Sequence, residues 1–520
     1  MNKYLKQNAR YKIKSKRKKF ISKSLKNIKK GIINSTPIKW CKIITIIAIS
    51  ILIFSFNFNL VDIKKIKKKI NKNYRRYEKY EKNFKGNSTC HILDPIHIFE
   101  VRLKNGPNDI CKENNTSHIC YINPPGYYND IFGNHDGVLC TMENIVLDPS
   151  KLVQTNLKYN GPVDRKNNGF PVISKGFYNT KCTTNEIKFK YGKFYKAYFS
   201  SWNYDYNTEN ESLEELAPGK TVLFIGRNED SPNLFHGNSE IINIICILYL
   251  FNLSPEEVQL VILTGIEIPE DPFYDIYKNV FSRGNEPLYV QNLKKKYKIS
   301  KAINVPINWD SPLFIYVDFP KCDSIMRTYQ LYNDFIDKYM NLKPFKDTFI
   351  SDNISFYYPD LTLKSHEKGI KFKKKLTIQW RKVWPIKRKG QLRLLGNAIE
   401  LTSKLAKSLP NNILVRLINT ASLPYKDQIS LMRNTDYLLG IHGAGLSLSI
   451  FLPKNGILHE VYRKKMNDLL TTMSALSGHV TYSDLIKSKS YNHKGNEYVI
   501  FDEDELVEKV LAHMKENKFF

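Results

Sequence analysis

The chain has 520 residues and a formal charge of +30, with 42% hydrophobic and 12% aromatic residues, enough apolar material for more than one core and too much for a disordered or single-module protein. The charge sits at one end: residues 1–42 hold fifteen Lys and Arg and no acid, and residues 62–85 hold eleven against three. The rest is close to neutral, which excludes a strongly basic nucleic-acid-binding body, so no nucleic acid is expected as a partner.

In chain order, residues 1–42 read as a basic cytoplasmic tail. The charge-free run 43–61 (IITIIAISILIFSFNFNLV) comes next; at ~1.5 Å per residue it covers ~28 Å, close to the ~30 Å of bilayer hydrocarbon. It begins too late for a cleaved leader and lacks a small-residue cleavage site, so a retained transmembrane signal anchor is expected. The richer basic flank precedes it, which predicts a single-pass type II protein with the bulk of the chain lumenal. Residues 62–89 read as a stem. The sequons at Asn87, Asn114, Asn115, Asn210, Asn252 and Asn353 and seven cysteines (Cys90, Cys111, Cys120, Cys140, Cys182, Cys246, Cys322) all lie beyond the anchor. With no CxxC pair and no Cys/His zinc spacing, disulfides are the expected use, and an odd count leaves at least one thiol unpaired or paired between chains. Cys246, inside an apolar run, reads as a buried thiol.

From Cys90 to about 215 the chain is loop-rich and no elements are assigned. From 219 the pattern alternates: strand 221–226, helix 239–251, strands 258–263 and 313–318. After a basic, aromatic connection come strand 376–380, helix 391–408, strand 413–418, helix 425–434, strand 437–441, a helix from Ala444, and strand 457–461. Such β-α alternation predicts an α/β fold with two doubly wound, Rossmann-like domains facing a cleft.

The run DYLLGIHGAGLSLSIFLPKNGILHEVY, residues 436–462, carries most of the chemistry. An apolar strand ends at His442, and Gly443, Ala444, Gly445 and Leu446 open a helix whose backbone amides and partial positive charge suit a phosphate. Open α/β sheets bind ligands at this carboxyl edge. Glu460 ends the next strand, where its carboxylate is expected to accept from ribose hydroxyls. A tight crossover with no ligand is the competing reading. Earlier in the chain, His236 and Glu240 stand one turn apart after Asn233, on one face of a helix start. They suit a base with its orienting partner, with Glu240 preferred as the base, or merely a capping residue and a first-turn acid.

The run 376–462 resembles the catalytic half of the family 61 glycosyltransferases, a group of xylosyl-, arabinosyl- and lumenal O-linked N-acetylglucosaminyltransferases. The resemblance is carried by Trp380-Arg381, Arg388 and Arg393, Asn397 and Glu400, then Asp436 to Pro453 with the HGAGL and FLP elements. The segment Asn233 to Glu240 is similar to the family's N-x-x-H-x-x-x-D/E segment. The strand before the basic loop departs from the family's Ile-Ser-Arg type ending, so which of Arg381, Arg388 and Arg393 faces a diphosphate stays open.

The resemblance implies a GT-B-like enzyme in which residues 90–365 form an acceptor-side lumenal domain and 366–520 a nucleotide-sugar-binding domain. It implies an inverting transfer of a xylose- or N-acetylglucosamine-type sugar from a UDP-sugar to a glycan or glycoprotein hydroxyl, in the Golgi or endoplasmic reticulum membrane, with no cofactor and no tightly bound metal. Arg381, Arg388, His442, Gly443, Ala444, Gly445, Leu446 and Glu460 would bind the donor; Glu240 and His236 would be catalytic. The Asp502-Glu503-Asp504 triplet reads as a helix start rather than a metal motif. The rival readings are a non-catalytic lumenal glycan-binding protein on the same fold and a membrane-tethered nucleic-acid binder.

Overall fold

The computed structural model describes residues 94–520, apart from 114, 123–137, 154–171, 186–192, 207–211, 228–232, 265–270, 284, 307–325, 348–355, 381–392, 465–468 and 494–495. The expected tail, anchor and stem lie outside the described residues. So do Cys90, Cys322, Arg381, Arg388 and the strand expected at 313–318. Among the described residues no helix is long and apolar enough to cross a membrane. The chain divides into two units, Met1–Asn87 and Ser88–Phe520, and all the described residues belong to the second.

The second unit is a mixed α/β structure built on several sheets. In the first, β1 (Asn108–Glu113), β2 (Thr116–Ile122) and β3 (Val138–Leu147) form an antiparallel meander. Next come β4 (Thr221–Arg227), β5 (Val258–Thr264), β6 (Leu288–Tyr289) and β7 (Tyr297–Val305), in the order β1-β2-β3-β7-β4-β5-β6. The last four pair parallel with one another, and β7 joins the meander antiparallel through β3. The second sheet comprises β8 (Lys374–Trp380), β9 (Ile413–Asn419), β10 (Tyr437–Ile441), β11 (Ile457–Tyr462) and β12 (Val480–Leu485). Its order is β9-β8-β10-β11-β12, all parallel, with Phe356–Tyr357 antiparallel on the edge of β9.

Strands β5, β9, β10 and β11 are buried along their whole length, the signature of parallel strands covered on both faces. That is why their apolar runs are readable in the sequence. Strand β7 was not expected, because Lys298, Ser300 and Lys301 interrupt its apolar residues. The meander β1–β3 also falls in the stretch left unassigned.

Two further expectations are corrected. The helix expected over 391–408 is a short strand, Arg393–Leu395, followed by α4 (Ala398–Ser408). Gly396 and Asn397 divide them: Gly396 lies close against the backbone of Val499, and Asn397 donates to Phe501 C=O at 2.9 Å and accepts its N–H at 3.2 Å. This fixes Arg393–Leu395 alongside the strand Asn496–Phe501. The segment after Gly443 winds as a 3₁₀ helix, Ala444–Phe451.

Other helices include α1 (Pro95–Lys104), α2 (Leu234–Leu250), α3 (Arg327–Tyr339), α5 (Tyr425–Arg433), α6 (Leu469–Leu476) and α7 (Glu503–Glu516). Asn233 caps α2, accepting Phe235 N–H at 3.0 Å, and Asp502 caps α7 in the same way through Glu505 N–H at 3.1 Å. Asp502 is therefore a capping group, as its place at a helix start predicts.

One continuous core joins the two sheets. It takes in Ile241, Ile245 and Ile247 on α2, Tyr332 on α3, Tyr425 and Ile429 on α5, and Leu446 and Phe451 of the 3₁₀ segment. Strand β9 also buries a guanidinium: Arg416 donates from Nε to Thr377 Oγ1 at 2.9 Å and pairs with Asp347. Disulfides Cys111–Cys182 and Cys120–Cys140 staple the meander, the latter between residues directly opposite in β2 and β3, while Cys246 is a buried free thiol.

Candidate active site

In the second sheet the chain runs from β8 outward to β9, then crosses back over β8 to β10. The sheet therefore reverses direction between β8 and β10, and at such a point the carboxyl ends of the strands leave a crevice for a ligand. The groups at this edge are Gln379 at the end of β8, Asn419 and Thr420 after β9, His442 after β10, and Glu460 and Tyr462 at the end of β11.

His442 stays in the ladder through its N–H to Val461 C=O at 3.1 Å. Its Nδ1 lies 2.5 Å from Glu460 Oε1. An ionised carboxylate only accepts, so the imidazole donates from Nδ1 and its Nε2 is left to a ligand. Glu460 is fully buried, and its other oxygen accepts from the Tyr462 hydroxyl at 3.5 Å; that hydroxyl also meets Ser483 Oγ at 2.6 Å. Enclosed in this way, Glu460 faces His442 and Tyr462, and the ribose contact expected from its position stays an expectation. Its Oε1 holds the Nδ1 side of the His442 ring.

The glycine turn is only partly available. Leu446 donates its N–H to Gly443 C=O at 2.9 Å and buries its side chain against Gly440, so its amide is already engaged within the turn. The amides of Gly443, Ala444 and Gly445 have no backbone acceptor among the described residues, and Gly443 and Ala444 are partly exposed. Gly445 must be small, since a Cβ there would lie 2.5 Å from Gln379 Nε2. Gln379 is fixed in turn by its bond to Thr420 Oγ1 at 2.8 Å.

Of the arginines singled out in the sequence, Arg393 is described. It is half-buried, and burial lowers its pKa, opposed by the nearby Glu497 and Glu460 carboxylates. It thus brings a guanidinium to the neighbourhood of the His442–Glu460 pair. Asn397 serves the fold through Phe501 and Glu503.

The first sheet contributes the start of α2. Glu240 is 1% exposed and accepts at Oε2 from Arg227 Nε and from the Tyr277 hydroxyl, both at 3.1 Å. Arg227 ends β4, is itself fully buried, and also pairs with Asp271. His236, one turn before Glu240, is only partly buried. At Gly237 a Cβ would collide with the Phe273 ring at 2.0 Å, which fixes glycine there.

Asn238 brings α2 to the second sheet. It donates from Nδ2 to Ser447 Oγ at 3.3 Å, and its Oδ1 accepts from the hydroxyls of Tyr332 at 2.9 Å and Tyr425 at 2.5 Å. All four residues are almost fully buried. The start of α2, with His236, is therefore fastened directly to the segment that follows the glycine turn.

Sequence reasoning missed Asn238, Gln379, Arg227 and Tyr462. Arg227 and Gln379 had a signal, because each stands at the carboxyl end of a readable strand. Tyr462, at the end of the readable strand β11, had the same signal, and Asn238 had none.

Residues 266–458 match the family model described as Glycosyltransferase 61. The resemblance seen in the sequence thus holds, and it reaches back from the second sheet to the end of β5. Over 64 residues the chain is 34% identical to an EGF domain-specific O-linked N-acetylglucosamine transferase of Drosophila melanogaster. That alignment covers 12% of this chain and 12% of the relative.

Proposed function

From a chain that carries the glycosyltransferase 61 signature over residues 266–458, we propose an inverting transferase that moves a sugar from a UDP-sugar to a hydroxyl of a glycan or glycoprotein in the secretory lumen. The family match supports the transferase and a sugar donor with a glycan or glycoprotein acceptor; the rest is our reading of the site. The observation that carries it is the oriented imidazole of His442 beside the amides of Gly443–Gly445 at the point where the second sheet reverses.

Transfer needs a donor clamp, stabilisation of the leaving diphosphate and a base for the acceptor hydroxyl. The amides of Gly443, Ala444 and Gly445, with Nε2 of His442, receive the diphosphate. A guanidinium from Arg393, Arg381 or Arg388 completes the cradle, since its planar fork donates two hydrogen bonds at once. No metal is assigned to this step: Glu460, the buried carboxylate of the cradle, is already committed to His442. We place the base at His236 rather than at Glu240, whose carboxylate is tied to Arg227 and Tyr277 below the surface. Glu240 is then a positioning residue. Two sheets, each with a run of parallel strands, support a GT-B-like architecture, and a type II anchor at 43–61 would place it in a Golgi or endoplasmic reticulum membrane.

The test uses the full-length protein in detergent against a panel of nucleotide sugars, with thermal melting and sugar release as readouts. One UDP-sugar should raise the melting point, by the equivalent of ~2.7 kcal/mol at a hundredfold excess over Kd, and His442→Ala should abolish the rise. His236→Ala should remove turnover with donor binding kept, and Glu240→Gln should retain more activity than His236→Ala. Glycan binding without release of sugar from any donor would favour the non-catalytic reading instead.

A further inference from the structure

On the face of β11 opposite to Glu460, three side chains from three elements converge. Successive residues of a strand point to opposite faces, so His459 turns away from the His442 pair. There it meets Asp484 of β12 and His513 of α7. His459 Nε2 is 3.1 Å and His513 Nε2 2.6 Å from the same oxygen, Asp484 Oδ2, and the three candidate ligand atoms all lie within 4.8 Å of one another. The other such group among the described residues, His118 with Cys120 and Cys140, is closed by the disulfide between its two cysteines.

We propose that His459, Asp484 and His513 bind a zinc-class divalent cation that fastens the C-terminal helix to the second sheet. Two imidazoles and one carboxylate favour a borderline metal over magnesium or calcium, which take oxygen ligands. On a tetrahedral ion with bonds of ~2.0–2.1 Å, ligand atoms stand roughly 3.4 Å apart. The observed separations, 2.6 and 3.1 Å for two of the pairs and none beyond 4.8 Å, bracket that value.

A second observation is independent of the spacing. His459 is fully buried, yet its Nε2 makes no aligned hydrogen bond despite the 3.1 Å approach to Asp484. A buried nitrogen held only by such a poorly aligned contact is under-satisfied, and a cation between it and the carboxylate satisfies both. The surroundings match what metal-binding imidazoles require. Tyr437 Oη lies 2.9 Å from His459 Nδ1 and can accept its N–H, leaving Nε2 as the ligand. The Tyr482 ring stacks on His513 at 3.6 Å between centroids and holds it in place. Lys509 Nζ stands 3.9 Å from the other oxygen, Asp484 Oδ1, on the side away from the two imidazoles' shared oxygen. Asp484 and His513 keep 18% and 14% of their side chains exposed, so a water can complete the fourth position.

The proposal is independent of the transferase reading, because its readouts are metal content and melting, not activity. Untagged full-length protein, dialysed after zinc loading, should retain about one zinc per chain by elemental analysis. A chelator should lower its melting point and added zinc should restore it. Cobalt substitution should give the visible absorption of a four-coordinate site. His513→Gln, which keeps a hydrogen-bond donor on a partly exposed helix, should weaken zinc binding at least tenfold and lose the response to chelator. Wild-type protein that keeps no zinc, or melts alike with and without chelator, overturns the site, as does equal zinc retention by a folded His513→Gln.

Discussion

The Gln379 side chain fills the space a Cβ at Gly445 would enter, its Nε2 2.5 Å from that position. Gly445→Ala must therefore displace Gln379 from Thr420 or push the turn outward. We expect the donor KM to rise about tenfold with a stability loss of roughly 1–3 kcal/mol. Trimming the obstacle in a Gly445→Ala/Gln379→Ser double variant should recover part of both, so that the two changes are not additive. Additive losses in the double variant would show that the two side chains do not compete for this space.

Glu460→Gln keeps the shape of a fully buried side chain but gives it an N–H able to point at His442 Nδ1. The imidazole can then adopt the other tautomer, and turnover should fall by roughly 10²-fold or more. Circular dichroism should be unchanged. Wild-type kinetics in a folded Glu460→Gln protein would remove the orienting role.

Arg227 lies between two carboxylates, Glu240 and Asp271, with its own side chain fully buried. Arg227→Met leaves both acids without their cation, which should cost about 3–5 kcal/mol. Adding Glu240→Gln should return a measurable part of it. Urea unfolding of the two variants decides, and a double variant no more stable than the single one would argue against this coupling.

His118 is stacked on Trp202 at 4.0 Å and placed between the hydroxyls of Tyr204 and Tyr198; burial lowers its pKa to about 3. Unfolded, it titrates near ~6.5. Above that pH both states are neutral. Between ~6.5 and about 3 the unfolded chain takes up a proton that the folded chain refuses, so stability falls by up to ~1.4 kcal/mol per pH unit. His479, lowered by burial to about 4, adds to the decline in the upper part of this window. His118→Gln should be less stable at pH 7 and show a shallower fall toward pH 4; parallel slopes would contradict the assignment.

A lumenal location predicts sugar at exposed sequons. Asn115 and Asn252 both lie at the surface, and the protein made in a secretory host should lose mass on N-glycosidase treatment, with Asn115→Gln and Asn252→Gln each lowering that loss by one glycan. Non-reducing peptide maps should recover Cys111 joined to Cys182 and Cys120 to Cys140. Unmodified asparagines with reduced cysteines would point to the other side of the membrane.

Legibility in the sequence falls with distance along the chain. Strands such as β5 and β10 advertise themselves because burial on both faces makes them continuously apolar, and the HGAG turn is legible because its chemistry lies within a few consecutive residues. Glu460 was found by the same local logic, but only the folded sheet shows that it bonds to His442. Asn238 and Ser447 meet across 209 residues, and nothing in either local pattern announces it. Arg416 sits in a readable strand, but a buried guanidinium makes sense only once Asp347 and Thr377 are placed around it. The meander β1–β3 escaped because cysteine, histidine and acidic residues alternate in it without a clean period of two.

The carboxamide of Asn238 also limits how the molecule can move. Shearing one sheet past the other would break its bonds to Ser447, Tyr332 and Tyr425 together, in a place water does not reach. The two sheets are therefore held against sliding at this point by four buried side chains.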